Sequence, residues 1–298
     1  MEPIVVQARR AGVVEARHRV HAVAVHDGAV VAQAGDAELV CFMRSSSKPF
    51  QALPLALARD DLDERDLAIA SASHRAEPAQ IDAVRALLAK APADPDELEC
   101  GLQEGRPPER LYHNCSGKHA GMLALCRARG WPGEGYRLPD HPVQQGCLAV
   151  HAEAAQVHTE DIATGTDGCG VVTFALPLER MALMFSRLEG LDGAARVVAA
   201  MRTHPELIGG TGSADTELMQ ALPGWIAKGG AEGLLCAASP TGIGVALRVE
   251  DGSFRAQRPA LAAFLHLLGI ELSTFSVIPI DNSRYEQVGE LVVEADAK

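Results

Sequence analysis

Apolar and polar residues alternate with a period of two near both ends of the chain, and with a helical period between them. At the front, residues 4–7, 12–15, 19–25 and 29–32 read as β-type runs. His26-Asp27-Gly28, between the last two, is a turn signal, so a hairpin of antiparallel strands is expected there. His18, His21 and His26 fall on these runs and are read as strand surface, not as ligands. Helical patterning over 63–70 and 78–91 is interrupted by residues 71–75, and a helix body over 120–129 is opened by 111–119 and closed by Gly130-Trp131-Pro132-Gly133. Further helices are expected over 141–155 and, beyond a glycine-rich turn at 165–170, over 179–189 and 194–202.

From Lys228 the pattern reverts to β, with runs at 233–237 and 242–250 and Asp251-Gly252 as a hairpin turn. A helix over 259–268 and extended pieces at 277–279 and 291–293 complete the chain. Strands, then helices, then strands and a helix predict an α/β (α+β) fold in which one antiparallel sheet is built from both chain ends around a helical insertion. The subregions are 1–57 and 225–298 for the sheet with its flanking helices and 58–224 for the mainly helical part, within a single catalytic unit 1–298. No repeat and no separating linker stands out.

Charge changes the picture by exclusion. Against 27 Lys+Arg stand 39 Asp+Glu, a net charge of -12, which opposes nucleic-acid and anionic-membrane partners and favours small-molecule chemistry. The first ten residues carry no basic region followed by an apolar one, and no apolar run approaches membrane length, so a cytoplasmic protein is expected. Seven cysteines, an odd number without framework spacing, are expected to be reduced, with some able to bind metal.

The first candidate for chemistry is Arg44-Ser45-Ser46-Ser47-Lys48-Pro49-Phe50-Gln51. Proline fits a helix only in its first turn, so Pro49 sets a helix start near 45–47, and Pro54 is expected to kink or loosen the helical stretch after Lys48. Three-residue spacing stacks Ser45 and Lys48 on one face, a nucleophile beside a base, although the bare pattern also suits a serine-rich cap with a solvated lysine. Cys115-Ser116-Gly117-Lys118 repeats the device with sulfur, and a helix N-terminus is expected to lower the Cys115 pKa. Thr166-Asp167-Gly168-Cys169-Gly170 can present Asp167 and Cys169 to a ligand or serve as a structural turn. Cys115, Cys169 and His119 together look like part of a zinc site with one open tetrahedral position, and ordinary ligand preference selects His119 over Lys118. Ser73-His74 is a weak signal, and His141, His151, His158, His204 and His266 show no partner spacing.

These motifs, in this order and approximate spacing, resemble the rhizobial-type L-asparaginases. Lys228-x-x-Ala231-Glu232-Gly233 and Ala246-Leu247-Arg248-x-x-Asp251-Gly252 continue the match over nearly the whole chain. The resemblance implies a fold like that of serine β-lactamases and penicillin-binding proteins, hydrolysis of L-asparagine to L-aspartate and ammonia, and a homodimer. It implies Ser45 and Lys48 as one serine-lysine pair, Ser73 in a second, and Zn2+ held by Cys115, Lys118 and Cys169. That ligand set replaces His119, which becomes a neighbour of metal or substrate. A lysine ligates only as the neutral amine, so its pKa must be depressed. The chain departs from the family at Arg248, aligned with the lysine of the second pair, and at Val172, where proline is usual. Arginine stays protonated and cannot be a general base, so Arg248 could only hydrogen-bond Ser73 or stabilise negative charge.

The resulting expectation is a serine amidohydrolase in which Ser45 attacks, Lys48 takes its proton, Ser73 relays protons or helps bind the amide, Arg44 clamps the substrate carboxylate and Asp167 its ammonium. Competing readings are another serine-lysine amidase or β-lactam-recognising enzyme, a Cys115 nucleophile, and a zinc- or amino-acid-binding protein without turnover.

Overall fold

A computed structural model describes residues 1–294. The chain forms two compact units. The first comprises Met1–Cys41, Pro177–Ser186 and the chain from Gly230 on; the second comprises Phe42–Leu176 and Arg187–Gly229.

The first unit is built on an antiparallel sheet from both chain ends. Strand Ile4–Arg10 lies between Gln287–Val293 and Val13–His26, with Gln7 opposite Val292 on one side and Arg17 on the other. Val13–His26 next pairs with Gly244–Val249, which pairs with Leu234–Ala238, and Val277–Asp281 borders Gln287–Val293. The two runs expected at 12–15 and 19–25 are one 14-residue strand, because the period-two pattern continues through Arg17 and His18. The expected hairpin forms: Asp27 (φ 50°) and Gly28 (φ 78°) both take positive φ, as a tight two-residue turn between right-twisted strands requires, and Ala29–Ala34 folds back on Val13–His26. Helix Gln257–Leu267 buries Ala260, Leu261, Phe264 and Leu265, and helical residues of Pro177–Ser186 approach so closely that a Cβ on Gly244 would lie 2.0 Å from the Ala182 carbonyl oxygen.

Two expectations fail in this unit. Asp251-Gly252 does not turn a hairpin, because the Gly252 N–H closes on the Val249 carbonyl, the Asp251 side chain accepts from the Ser253 N–H, and the chain enters a helical turn at Phe254–Ala256. His18 and His21 are buried, not surface residues. His18 bridges Asp251 (2.6 Å) and Arg255 (2.9 Å), while His21 accepts from the Asp36 N–H and meets Glu250 at 2.8 Å. Polar partners on neighbouring segments satisfy both rings, which strand alternation alone does not reveal.

The second unit is largely helical. Helix Glu64–Ala70 packs against Pro78–Lys90, Ser116–Arg129 and Ala194–Thr203. Its start is a capping box: the Asp66 N–H donates to the Asp63 carboxylate at 3.1 Å, and the Asp63 N–H to the Asp66 carboxylate at 2.9 Å. Helices Pro142–Ala155 and Ala214–Ala221 also belong to it. Strand Ala163–Thr166, which had no apolar run to announce it, pairs with the buried strand that begins at Val172, Thr164 standing opposite Phe174. Among the described residues no helix is long and apolar enough to cross a membrane.

Candidate active site

Within the second unit the chain enters a tight helical turn at Arg44–Ser47 and continues as a helix at Lys48–Gln51, with Pro49 in its first turn. The helix stops there and restarts as Leu53–Ala58, the break expected from Pro54, which has no N–H to donate. Arg44 takes the left-handed conformation (φ 49°), uncommon for a residue with a Cβ. It is anchored on both sides: its N–H donates to Thr173 Oγ1 at 3.2 Å, and its Nε donates to Asp167 Oδ1 at 2.6 Å.

The three serines after Arg44 have different fates. Ser46 is buried and donates to the Lys228 carbonyl at 2.8 Å, and Ser47 is buried and donates to the Arg44 carbonyl at 2.8 Å. The half-buried Ser45 hydroxyl has no hydrogen-bond partner among the described residues.

Lys48 is fully buried, and its amine turns towards Ser73, not towards Ser45: Nζ donates to the Ala72 carbonyl at 2.5 Å and to Ser73 Oγ at 2.9 Å. Burial lowers its pKa to about 8; the neighbouring Cys115 and Cys169 sulfurs pull it back up, and the Lys118 and Lys228 charges push it further down. The turn carrying Ser73 is tied in place. The Ser73 N–H donates to the Ile208 carbonyl, and the His74 N–H to that of Asn114. Ser116 Oγ donates to the Leu111 carbonyl at 2.7 Å and so accepts from His74 Nε2 (2.8 Å), while His74 Nδ1 accepts from the Ala76 N–H at 3.1 Å. His74 is therefore a neutral Nε2–H tautomer, and burial lowers its pKa to about 3.

Sulfur chemistry gathers beside this pair. Cys115 precedes helix Ser116–Arg129, whose first turn presses so close to helix Glu64–Ala70 that a Cβ on Gly117 would lie 2.2 Å from the Ile69 carbonyl oxygen. The tight turn at 167–170 closes through a bond from the Asp167 N–H to the Val171 carbonyl and one from the Gly170 N–H to the Asp167 carbonyl, each 2.8 Å. It delivers Cys169 to Lys118, whose Nζ donates to the sulfur at 3.1 Å. Cys115 hydrogen-bonds the same sulfur, which holds Cys169 far below the ordinary thiol range and leaves Cys115 well above it. The lowered pKa expected at Cys115 thus falls on Cys169, because Cys115 supplies the proton of the shared bond and the Lys118 amine donates to the Cys169 sulfur. The Cys169 charge in turn raises the Lys118 pKa.

His119 is fully buried, with Nδ1 on the Tyr136 hydroxyl at 2.7 Å and Nε2 facing Cys169 without a regular hydrogen bond. Among the described residues no group of three or more His, Cys, Asp and Glu side chains is arranged to hold a metal. A metal here relies on the Lys118 amine beside the two sulfurs, and that amine, held protonated by the Cys169 charge and not depressed as expected, would have to give up its proton to ligate.

This sequence of motifs is matched by a family model described as L-asparaginase II over residues 6–293. The chain belongs to the L-asparaginase II family. No curated protein matches it in sequence. Among solved structures it resembles Mglu in its native form (15% identity, TM-score 0.50, 86% of this chain and 66% of that one) and native Mglu in 4.3 M NaCl (15% identity, TM-score 0.50, 86% and 62%). The chain thus spans just under two thirds of the Mglu chains it matches, and at this identity the likeness is one of fold. EstCE1, a hydrolase with promiscuous acyltransferase activity, is similar at 14% identity and a TM-score of 0.41, over 77% of this chain and 88% of that one.

Arg248 stands in strand Gly244–Val249 of the first unit, opposite His21 and Leu234. A buried amine that sequence reasoning did not place in the site, Lys228, lies in the second unit. Lys228 bonds Asp215 Oδ2 at 3.2 Å and the Gly229 carbonyl at 2.9 Å, and the Gly229 N–H donates to the same carboxylate at 3.0 Å. Its sequence signals are its place at the head of Lys228-x-x-Ala231-Glu232-Gly233 and a charge directly after the apolar run Trp225-Ile226-Ala227. Tyr136 had no spacing to mark it, whereas His113, at the head of the run to His119, accepts from the Cys115 N–H through Nδ1 at 3.0 Å.

Proposed function

We propose that this member of the L-asparaginase II family is a serine amidohydrolase that converts L-asparagine to L-aspartate and ammonia. The observation that carries the reading is the buried Lys48 amine, lowered to about 8 and 2.9 Å from the Ser73 hydroxyl. A lysine in that range is a competent base near neutral pH, and a hydroxyl in its reach is the arrangement that acyl transfer requires.

Ser45 attacks the side-chain amide carbon. Of the three serines at the helix entrance its hydroxyl alone is uncommitted among the described residues, since Ser46 and Ser47 already donate to carbonyls. Ser73 accepts the Ser45 proton and passes its own to the neutral Lys48 amine, which later returns a proton to the departing ammonia. Water then cleaves the aspartyl ester along the same path in reverse. The Arg44 guanidinium and Asp167 carboxylate, paired at 2.6 Å beside Ser45, offer opposite charges to the substrate's α-carboxylate and α-ammonium. Direct attack by Ser73, favoured by its contact with Lys48, is the second reading.

Cys115, Lys118 and Cys169 would hold zinc, His119 standing beside them. When bound, zinc would supply a fixed positive charge that supports substrate orientation and affinity.

Ammonia release from L-asparagine, L-glutamine and a β-lactam control tests the assignment. The expected result is turnover of asparagine that disappears in Ser45→Ala with the circular dichroism spectrum preserved. Near-normal turnover in that variant, or none in the wild type, would sink it.

A further inference from the structure

The Tyr136 hydroxyl has two neighbours, and together they fix where its proton lies. The Glu99 backbone N–H donates to Tyr136 Oη at 2.8 Å, and His119 Nδ1 is 2.7 Å from the same oxygen. Both Tyr136 and His119 are fully buried, so a phenol proton aimed anywhere other than His119 Nδ1 would have no acceptor. Burial also keeps the phenol protonated, its pKa raised far above the usual range. Nδ1 is therefore the acceptor, and the proton of the neutral imidazole sits on Nε2. That nitrogen has no regular partner and faces Cys169, the sulfur that Lys118 and Cys115 also contact.

The phenol itself is held from a second side. The Glu99 carboxylate accepts from the Gly135 N–H at 2.7 Å and pairs with Arg137 Nε at 3.4 Å, so the residues flanking Tyr136 are bound to the segment whose N–H reaches its oxygen. Gln144 donates to the Tyr136 carbonyl at 2.8 Å.

We propose that Tyr136, oriented by Glu99, is a positioning residue that locks His119 in the Nε2–H form and so bars its Nε2 from coordinating a metal. A neutral histidine with a free Nε2 lone pair would be the preferred zinc ligand in this pocket; with its proton on Nε2 it is not, and the lysine amine is left as the nitrogen donor. The inference deepens the zinc reading of Cys115, Lys118 and Cys169, but its metal-free half stands without it.

The test is the tautomer itself. In metal-free protein labelled with 15N-histidine, long-range 1H–15N correlation spectra report which ring nitrogen carries hydrogen, with His119 assigned by its absence from His119→Gln. The wild type is expected to show Nε2 protonated and Nδ1 bare, and to keep Nε2 protonated after zinc alone is added. A proton on Nδ1, or a bare Nε2 after zinc, would overturn the proposal. Failure of zinc to bind in chelator competition would sink the metal reading while the metal-free spectrum still decides the tautomer. Tyr136→Phe removes the donor to Nδ1, together with the acceptor of the Glu99 N–H, and is expected to show both tautomers; persistence of pure Nε2–H in a folded Tyr136→Phe protein would remove the role assigned to Tyr136.

Discussion

Lys48 concentrates the chemistry at the scale of single residues. Its amine must be neutral to accept a proton, and burial brings its pKa to about 8. The activity, kcat/KM, is therefore expected to rise with pH through about 8 and to fall roughly tenfold per unit below it, as the amine becomes protonated. A profile flat from pH 6 to 9 would exclude Lys48 as the base. Lys48→Met is expected to lose about 10²–10⁴ in kcat, and Lys48→Arg should not recover it, since a guanidinium cannot deprotonate. Asp215 is a second residue with a sharp consequence. Asp215→Asn leaves the buried Lys228 without its counter-charge and is expected to cost about 3–5 kcal/mol in urea unfolding at neutral pH. The Asp215 carboxyl is held below its ordinary value of 3.8, so the pair stabilises the fold above that pH and its contribution is lost as the pH falls through the folded value. The gap between wild type and Asp215→Asn should accordingly narrow in acid.

Elements meet most tightly where helix Ser116–Arg129 crosses helix Glu64–Ala70. Gly117 brings the Cys115–Lys118 turn against the end of the helix that leads to Ala72 and Ser73, at a separation that leaves no room for a Cβ. Gly117→Ala forces the two helices apart and is expected to lower stability by about 1–3 kcal/mol and to reduce activity beyond that loss, measured by thermal unfolding and by turnover at a temperature where the variant is folded. Gly121→Ala, whose Cβ would meet the Ala70 and Leu55 side chains at 3.0 and 3.1 Å, is expected to cost less because side chains yield more readily than a carbonyl. Element boundaries were legible wherever a local rule decided them. Asp27-Gly28 announced its turn, Pro49 its helix start and Pro54 the break after Gln51. Strand Ala163–Thr166 was not, since small polar residues there take their structure from pairing with the strand starting at Val172.

At the scale of the molecule, folding draws residues 44–48, 72–74, 113–119, 167–169 and 228 into the second unit. The motifs themselves were legible because each is a short spacing with a chemical meaning. Which side chains meet was not: Lys48 reaches Ser73 across 25 positions although Ser45 is three away, Arg44 and Asp167 pair with each other, and Cys169 takes the ionisation that a helix start suggested for Cys115. Tertiary placement decides such pairings, and a single sequence records only the local half of it. Zinc in stoichiometric amount is expected in protein purified without chelator and should be lost in Cys169→Ser; equal zinc in both proteins would move the metal elsewhere.

In the proposed mechanism Ser45 carries the acyl group while Ser73 and Lys48 handle its proton. Rapid acid quenching during L-asparagine turnover, followed by peptide mass mapping, reads this directly. An aspartyl ester on Ser45 is the result this account predicts; an ester on Ser73 or Cys115 would contradict it.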